Sequence, residues 1–171
     1  LWRLEDALSA SPAPSQRHSD SCSFVLKPTH GQFLGEYNGI SDLHVGITST
    51  KGVVYSYNQC GVDREAAGWE QSVNIRLGPT DQYELIHQWD RYLEDFTAAE
   101  QWAAQRYREE DHNCYTFALM FINAVLVLQN KKTFSKEEFT RRFVLPKTRR
   151  VSKYLTICKG ISQGEFFILP S

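Results

Sequence analysis

Four cysteines among 171 residues, Cys22, Cys60, Cys114 and Cys158, form no Cys-x-x-Cys pair. That spacing argues against a zinc ribbon and against a thioredoxin-like redox motif. The histidines are equally scattered and neither half of a metal-ligand pair is present, so no metal site and no cofactor are expected. Long hydrophobic runs are missing as well. The longest apolar stretch, residues 117–128, falls short of the roughly 20 residues that cross a bilayer. Neither sign of charge is in excess: 19 Lys and Arg stand against 20 Asp and Glu, for a formal net charge of -1. The field of the whole protein thus selects neither nucleic acid nor an anionic membrane, and no nucleic-acid partner is expected. No secretory leader is visible in a sequence that begins at Leu1, and the core holds no internal repeat.

What is present is an ordinary globular mixture, 42% hydrophobic and 23% charged. A chain of this length buries a real core without metal or disulfide support. Free thiols in a reducing compartment are then the simpler reading of the cysteines. That reading predicts a cytoplasmic or nuclear location and leaves Cys114 free to react.

Residues 1–21, rich in Ser, Pro and Ala, read as a flexible arm, and residues 22–171 as a single domain. Short β-prone runs follow at 22–26, 43–48 and 53–57. The last two are parted by the turn-like Ser49-Thr50-Lys51-Gly52, which predicts a hairpin. Val73, Ile75 and Leu77 alternate with polar residues and predict a strand over 72–77. Tyr83, Ile86, Trp89, Leu93 and Phe96 recur at three- and four-residue spacing, the pattern of an amphipathic helix over 81–96 with Trp89 on its core face. A short helix is expected at 100–107. Residues 114–128 are apolar on nearly every side, as in a helix at the centre of a domain. Ser135 with Glu138 fits a capping box ahead of a helix to Phe143, which Pro146 should end. Residues 154–158 and 166–169 fit either closing strands or a final helix and strand. Strands first and helices later read as an α+β domain.

The chemistry points to one cysteine. Asp111-His112-Asn113-Cys114 sets a thiol at the opening of the buried helix, and Asp42-Leu43-His44 sets a histidine at the opening of a strand. A helix N-terminus favours an anion by about 0.3 to 1 kcal/mol. One pKa unit is about 1.36 kcal/mol, so the helix alone moves the thiol by less than a unit. A protonated histidine in contact would have to supply the rest. In this reading Cys114 is the nucleophile and His44 its base. A backbone N–H of the helix and the Asn113 side chain would donate to an oxyanion. Glu109, Glu110 and Asp111 would raise the thiol pKa if they pointed inward, but would favour the helix start if they faced water. His112 is expected on the solvent side of the helix start and His87 at an exposed or rim position, while His18 and His30 fall in arm and loop.

Leu43-His44-Val45-Gly46-Ile47, then Val53-Val54-Tyr55-Ser56-Tyr57, then Asn113-Cys114 with Tyr115 and Phe117 behind it resemble the circularly permuted papain-like cysteine hydrolases. The PPPDE and the lecithin retinol acyltransferase-like families are the nearest by pattern. The resemblance implies an NlpC/P60-type antiparallel sheet packed on a central buried helix. It also implies hydrolysis of an amide, isopeptide or thioester, with a peptide or modifier protein as substrate or partner. Acyltransferase members carry a second histidine on the following strand, and here none lies between His44 and His87. Tyr55, Tyr57 or Asn58 would then orient the imidazole, with Asn58 the best suited chemically. By the same resemblance the loop 58–69, with Gly61 and Gly68, is expected to border a substrate groove. Four longer blocks, residues 41–48, 68–72, 88–96 and 148–154, resemble a second, vertebrate family, a likeness that spans most of residues 20–160 and implies no activity.

Two other classes compete with the hydrolase. A papain-like domain with a degenerate site would act as a catalytically inactive protein-binding module, which the missing second histidine and the acidic flank favour. A lipid-directed acyltransferase would be expected to carry an anchor or an exposed apolar face. The presence of both dyad residues favours the hydrolase. Arg141-Arg142 and Arg149-Arg150 read as a solvated face, since a nucleic-acid role needs a larger basic patch.

Overall fold

A computed structural model describes residues 21–30, 42–77 and 83–162. Nearly all of the expected arm and the whole of segment 166–169 lie outside the described residues. Five strands come first: β1 (Ser23–Pro28), β2 (Leu43–Thr48), β3 (Val54–Asn58), β4 (Gly61–Glu65) and β5 (Val73–Arg76). Four α-helices follow: α1 (Tyr83–Thr97), α2 (Cys114–Leu128), α3 (Lys136–Phe139) and α4 (Leu145–Ser162). The strands form one antiparallel sheet in the order β4-β3-β2-β1-β5. The domain is α+β, as its order of strands and helices predicts.

Alternation along each strand divides the sheet into two unequal faces. Phe24, Leu26, Val45, Ile47, Tyr55, Tyr57, Val73 and Ile75 join the main core, which α1 and α2 complete from one side. Among the described residues, the hydrophobic cluster on the opposite face is Val25, Val54 and Trp69. Register assigns Lys27, His44, Gly46, Ser56, Asp63 and Glu65 to that second face: Lys27, Gly46, Ser56 and Glu65 pair with, or lie two residues from, Val25 or Val54, and His44 and Asp63 pair with Lys27 and Ser56.

α2 is buried along Phe117, Ala118, Phe121, Ile122 and Val125, so its apolar character on most sides follows from its central position. Trp89 of α1 packs edge-on against Phe121, with ring centroids 5.1 Å apart, and its Nε1–H donates to the Thr48 carbonyl at 2.8 Å. An indole in the core needs such a partner, and the end of β2 supplies it. At Gly46 β2 and β3 approach closely. A Cβ there would lie 2.6 Å from Val54 Cγ1 and 2.8 Å from the Tyr55 carbonyl oxygen.

Three expectations need correction. Residues 61–65 are not open loop but β4, an edge strand paired with β3. The run Asp63-Arg64-Glu65 hides it, because exposed edges carry charge that lowers apparent β-propensity. The helix expected over 100–107 is a pair of 3-10 turns, Glu100–Trp102 and Ala104–Arg106. Pro146 does not end its helical unit. α3 runs through a π-helical turn, Thr140–Val144, directly into α4, with Pro146 in the first turn of α4. The wider π turn relieves the clash between the proline ring and the preceding carbonyl, and a first-turn position tolerates the missing N–H. Residues 154–158 lie in α4 and are helical. The Ser135 cap is found, with its Oγ accepting the Glu138 N–H at 3.1 Å. Among the described residues no helix is long and apolar enough to cross a membrane.

Candidate site: a buried thiol at the head of α2

Asn113 starts α2. Its Oδ1 accepts the N–H groups of Tyr115 at 3.0 Å and Thr116 at 3.2 Å, and its Nδ2 donates to the Glu109 carbonyl at 2.6 Å. These bonds satisfy two of the orphan donors at a helix start. They also occupy the amide that was expected to face an oxyanion.

Cys114 follows, 9% exposed. Burial pushes its pKa up, and the backbone N–H groups of Val45, Tyr115 and Cys114 itself, together with the Lys136 charge, work in the opposite direction. The Val45 N–H is available because the β2–β3 pairs, Ile47 with Tyr55 and Thr48 with Val54, do not extend to it. Tyr107 stands close enough for the Cys114 charge to help raise its hydroxyl pKa, after burial. Glu109, Glu110 and Asp111 are exposed, and Asp111 is engaged by Arg108 at 2.7 Å. The acidic flank faces water, not the thiol.

His44 does not meet Cys114. Val45 and Ile47 point into the main core beneath α2, so His44, one residue out of phase, points to the other side of β2. Its ring lies 5.7 Å from that of Trp69. Burial first and Lys27 second hold its pKa below 6.5, while Glu65 and Asp63 work to raise it. Trp69 is the hub of this second face: its Nε1–H donates to Glu65 Oε2 at 2.7 Å, and Lys27 Nζ sits 4.5 Å from its ring centroid. Lys27 also donates to the Gly68 carbonyl at 2.8 Å.

Asn58 does not orient the imidazole. It closes the β3–β4 turn, its Oδ1 accepting the Cys60 N–H at 2.7 Å and its Nδ2 donating to Asp63. Tyr55 and Tyr57, the other candidates, point into the main core with Val45. Tyr55 donates to Glu94 at 2.6 Å and Tyr57 to the Ala103 carbonyl at 3.0 Å.

His112 is half-buried, not on the solvent side. Its ring stacks on Trp102 with centroids 5.0 Å apart and planes 5° from parallel, and its Nε2 lies 2.8 Å from the Gln101 carbonyl oxygen. A carbonyl only accepts, so that nitrogen carries the proton and is not a free base. Among the described residues no group of three His, Cys, Asp or Glu side chains is arranged to hold a metal ion.

The family model described as DUF4796 C-terminal matches residues 9–161. The chain belongs to that family. It is 46% identical over 167 residues to the MKRN2 opposite strand protein of Homo sapiens, an alignment covering 97% of this chain and 75% of the relative. The likeness to a vertebrate family read from the four longer sequence blocks is thereby shown. No solved structure matches the chain.

Proposed function

We propose that this DUF4796 domain is a papain-like fold that works as a catalytically inactive binding module for a peptide or modifier protein. The observation that carries the reading is the separation of the dyad: Cys114 lies in the main core at the head of α2 and His44 lies against Trp69 on the far side of β2. A cysteine hydrolase needs a base within hydrogen-bond reach of its nucleophile and a thiol pKa lowered by its surroundings. Here burial raises the thiol and Asn113 is spent on capping.

The hydrolase reading keeps one supporting observation. The backbone N–H groups of Val45, Tyr115 and Cys114 all work to lower the Cys114 pKa, and donors of that kind also suit an oxyanion. One experiment separates the two. Wild type and His44→Ala are labelled with iodoacetamide across a pH series, and each cysteine is read by peptide mass spectrometry. For the binding module, Cys114 labels only at alkaline pH and His44→Ala leaves its profile unchanged. Early labelling of Cys114 at acidic pH, slowed by His44→Ala, would overturn the proposal and restore the hydrolase.

A further inference from the structure

From Thr140 to Ser162 the chain contains no Asp or Glu, although Asp and Glu outnumber Lys and Arg across the whole sequence, 20 to 19. Positive charge is concentrated on this one helical stretch and the remainder is acidic. The stretch is also sided. Phe143, Val144, Val151 and Leu155 are buried in the core, while Arg141, Arg142, Leu145, Arg149, Arg150 and Lys153 are exposed. The exposed set recurs at three- and four-residue spacing and so forms one continuous stripe. Two arginine pairs stand about two turns apart, roughly 10–12 Å along the axis, with Leu145, 38% exposed, between them. The Arg142 guanidinium rests 5.3 Å from the Phe143 ring centroid, which limits its freedom before any partner arrives.

We infer that this face of the π turn and α4 docks an acidic protein segment. Extended chain advances about 3.3 Å per residue, so carboxylates three or four positions apart span the two arginine pairs. A side chain midway between them then meets Leu145. The segment recognised is therefore a pair of acidic clusters flanking one apolar residue. Guanidinium forks bind carboxylates in a bidentate manner, and the exposed cations here are arginines with one lysine. An anionic membrane fits less well. A membrane-surface helix presents its bulky apolar face to lipid, whereas that face of α4 is buried. Nucleic acid fits less well too, since its long anionic backbone would run onto the acidic remainder of the chain. The inference holds whether or not the Cys114 thiol reacts.

The test uses the full chain and a labelled peptide, Glu-Glu-Ser-Leu-Ser-Glu-Glu, with its Gln-for-Glu counterpart as control, read by fluorescence anisotropy at low and physiological salt. Wild type binds the acidic peptide and not the control. Replacing Arg141, Arg142, Arg149 and Arg150 together by Gln weakens binding about tenfold or more. Replacing the same four by Lys keeps the charge but not the forks, and gives an intermediate affinity. Thermal melts by circular dichroism establish that both variants are folded. If the Gln variant melts early, the Lys variant and the salt dependence of wild type carry the test. Binding that is indifferent to both replacements overturns the inference. So does displacement of the peptide by phosphatidylserine vesicles or by duplex DNA at lower concentration, and so does self-association that leaves wild type unable to take up peptide.

Discussion

The imidazole of His44 lies 5.7 Å from the indole of Trp69 and tilted 33° to it, on the face of β2 turned away from Cys114. The arrangement makes His44 a sensor of the fold's own pH tolerance. Burial and Lys27 hold its pKa below 6.5 in the folded state, against Glu65 and Asp63. The unfolded chain takes up the proton near pH 6.5, the folded chain only at lower pH. Stability from this group is complete above pH 6.5 and is lost as pH falls from there through the folded value. Urea midpoints measured well above and well below pH 6.5 should differ more for wild type than for His44→Gln. An imidazole NMR titration giving 6.5 or higher for His44 would refute the argument.

Asn113 acts on the helix, not on a reacting group. Its Oδ1 accepts the N–H groups of Tyr115 and Thr116, so Asn113→Ala is expected to cost about 0.5–2 kcal/mol of stability. Asn113→Asp retains an acceptor at the positive end of α2 and should restore most of it. Chemical denaturation of the three proteins decides the matter. Equal losses in Ala and Asp variants would mean that the amide donor to Glu109 matters more than the cap.

Gly46 is required by the close approach of β2 and β3. A methyl group there meets Val54 Cγ1, which can be shortened, and the Tyr55 carbonyl, which cannot. Gly46→Ala should destabilise by about 1–3 kcal/mol, the range for overpacking a filled site. Adding Val54→Ala removes one of the two clashes, so the double variant should fall short of the sum of its parts. A Gly46→Ala protein with the wild-type urea midpoint would show that the strands part freely.

The sequence makes the strands and helices legible where a single period dominates. Apolar spacing locates α1 and α2, and Ser135 with Glu138 locates α3, because each signal comes from the element's own buried face or cap. β4 escapes because its residues face water at a sheet edge. The passage through Pro146 escapes because a π turn has no pattern of its own. The candidate site is a different case. Cys114 at a helix start is readable from Asn113 onward, but its distance from His44 depends on which face of β2 each side chain takes. That information is present in the alternation: with Val45 and Ile47 apolar and core-facing, His44 and Gly46 belong to the other side. Trp69 as the partner of His44 has no comparable signal, since the link runs between β2 and a turn more than twenty residues later.

Tyr55 offers a measurement on the opposite side of the sheet. Its pKa is pushed up to about 12, first by burial, then by its hydrogen bond to Glu94 and by that carboxylate's charge, with Arg64 working against the shift. Glu94 also accepts from Arg64 Nη2 at 2.8 Å, which ties β3 and β4 to α1. The folded state therefore holds the phenol proton after an unfolded tyrosine, near pH 10, has lost it. The stability this group contributes is complete below pH 10 and declines as pH rises toward 12. In an alkaline absorbance titration, the difference between wild type and Tyr55→Phe should appear close to pH 12. Glu94→Gln removes the negative charge and should move that difference to lower pH. A phenol that titrates near pH 10 in the folded wild type would mean that Tyr55 is open to solvent and that the tie between β3 and α1 is not made.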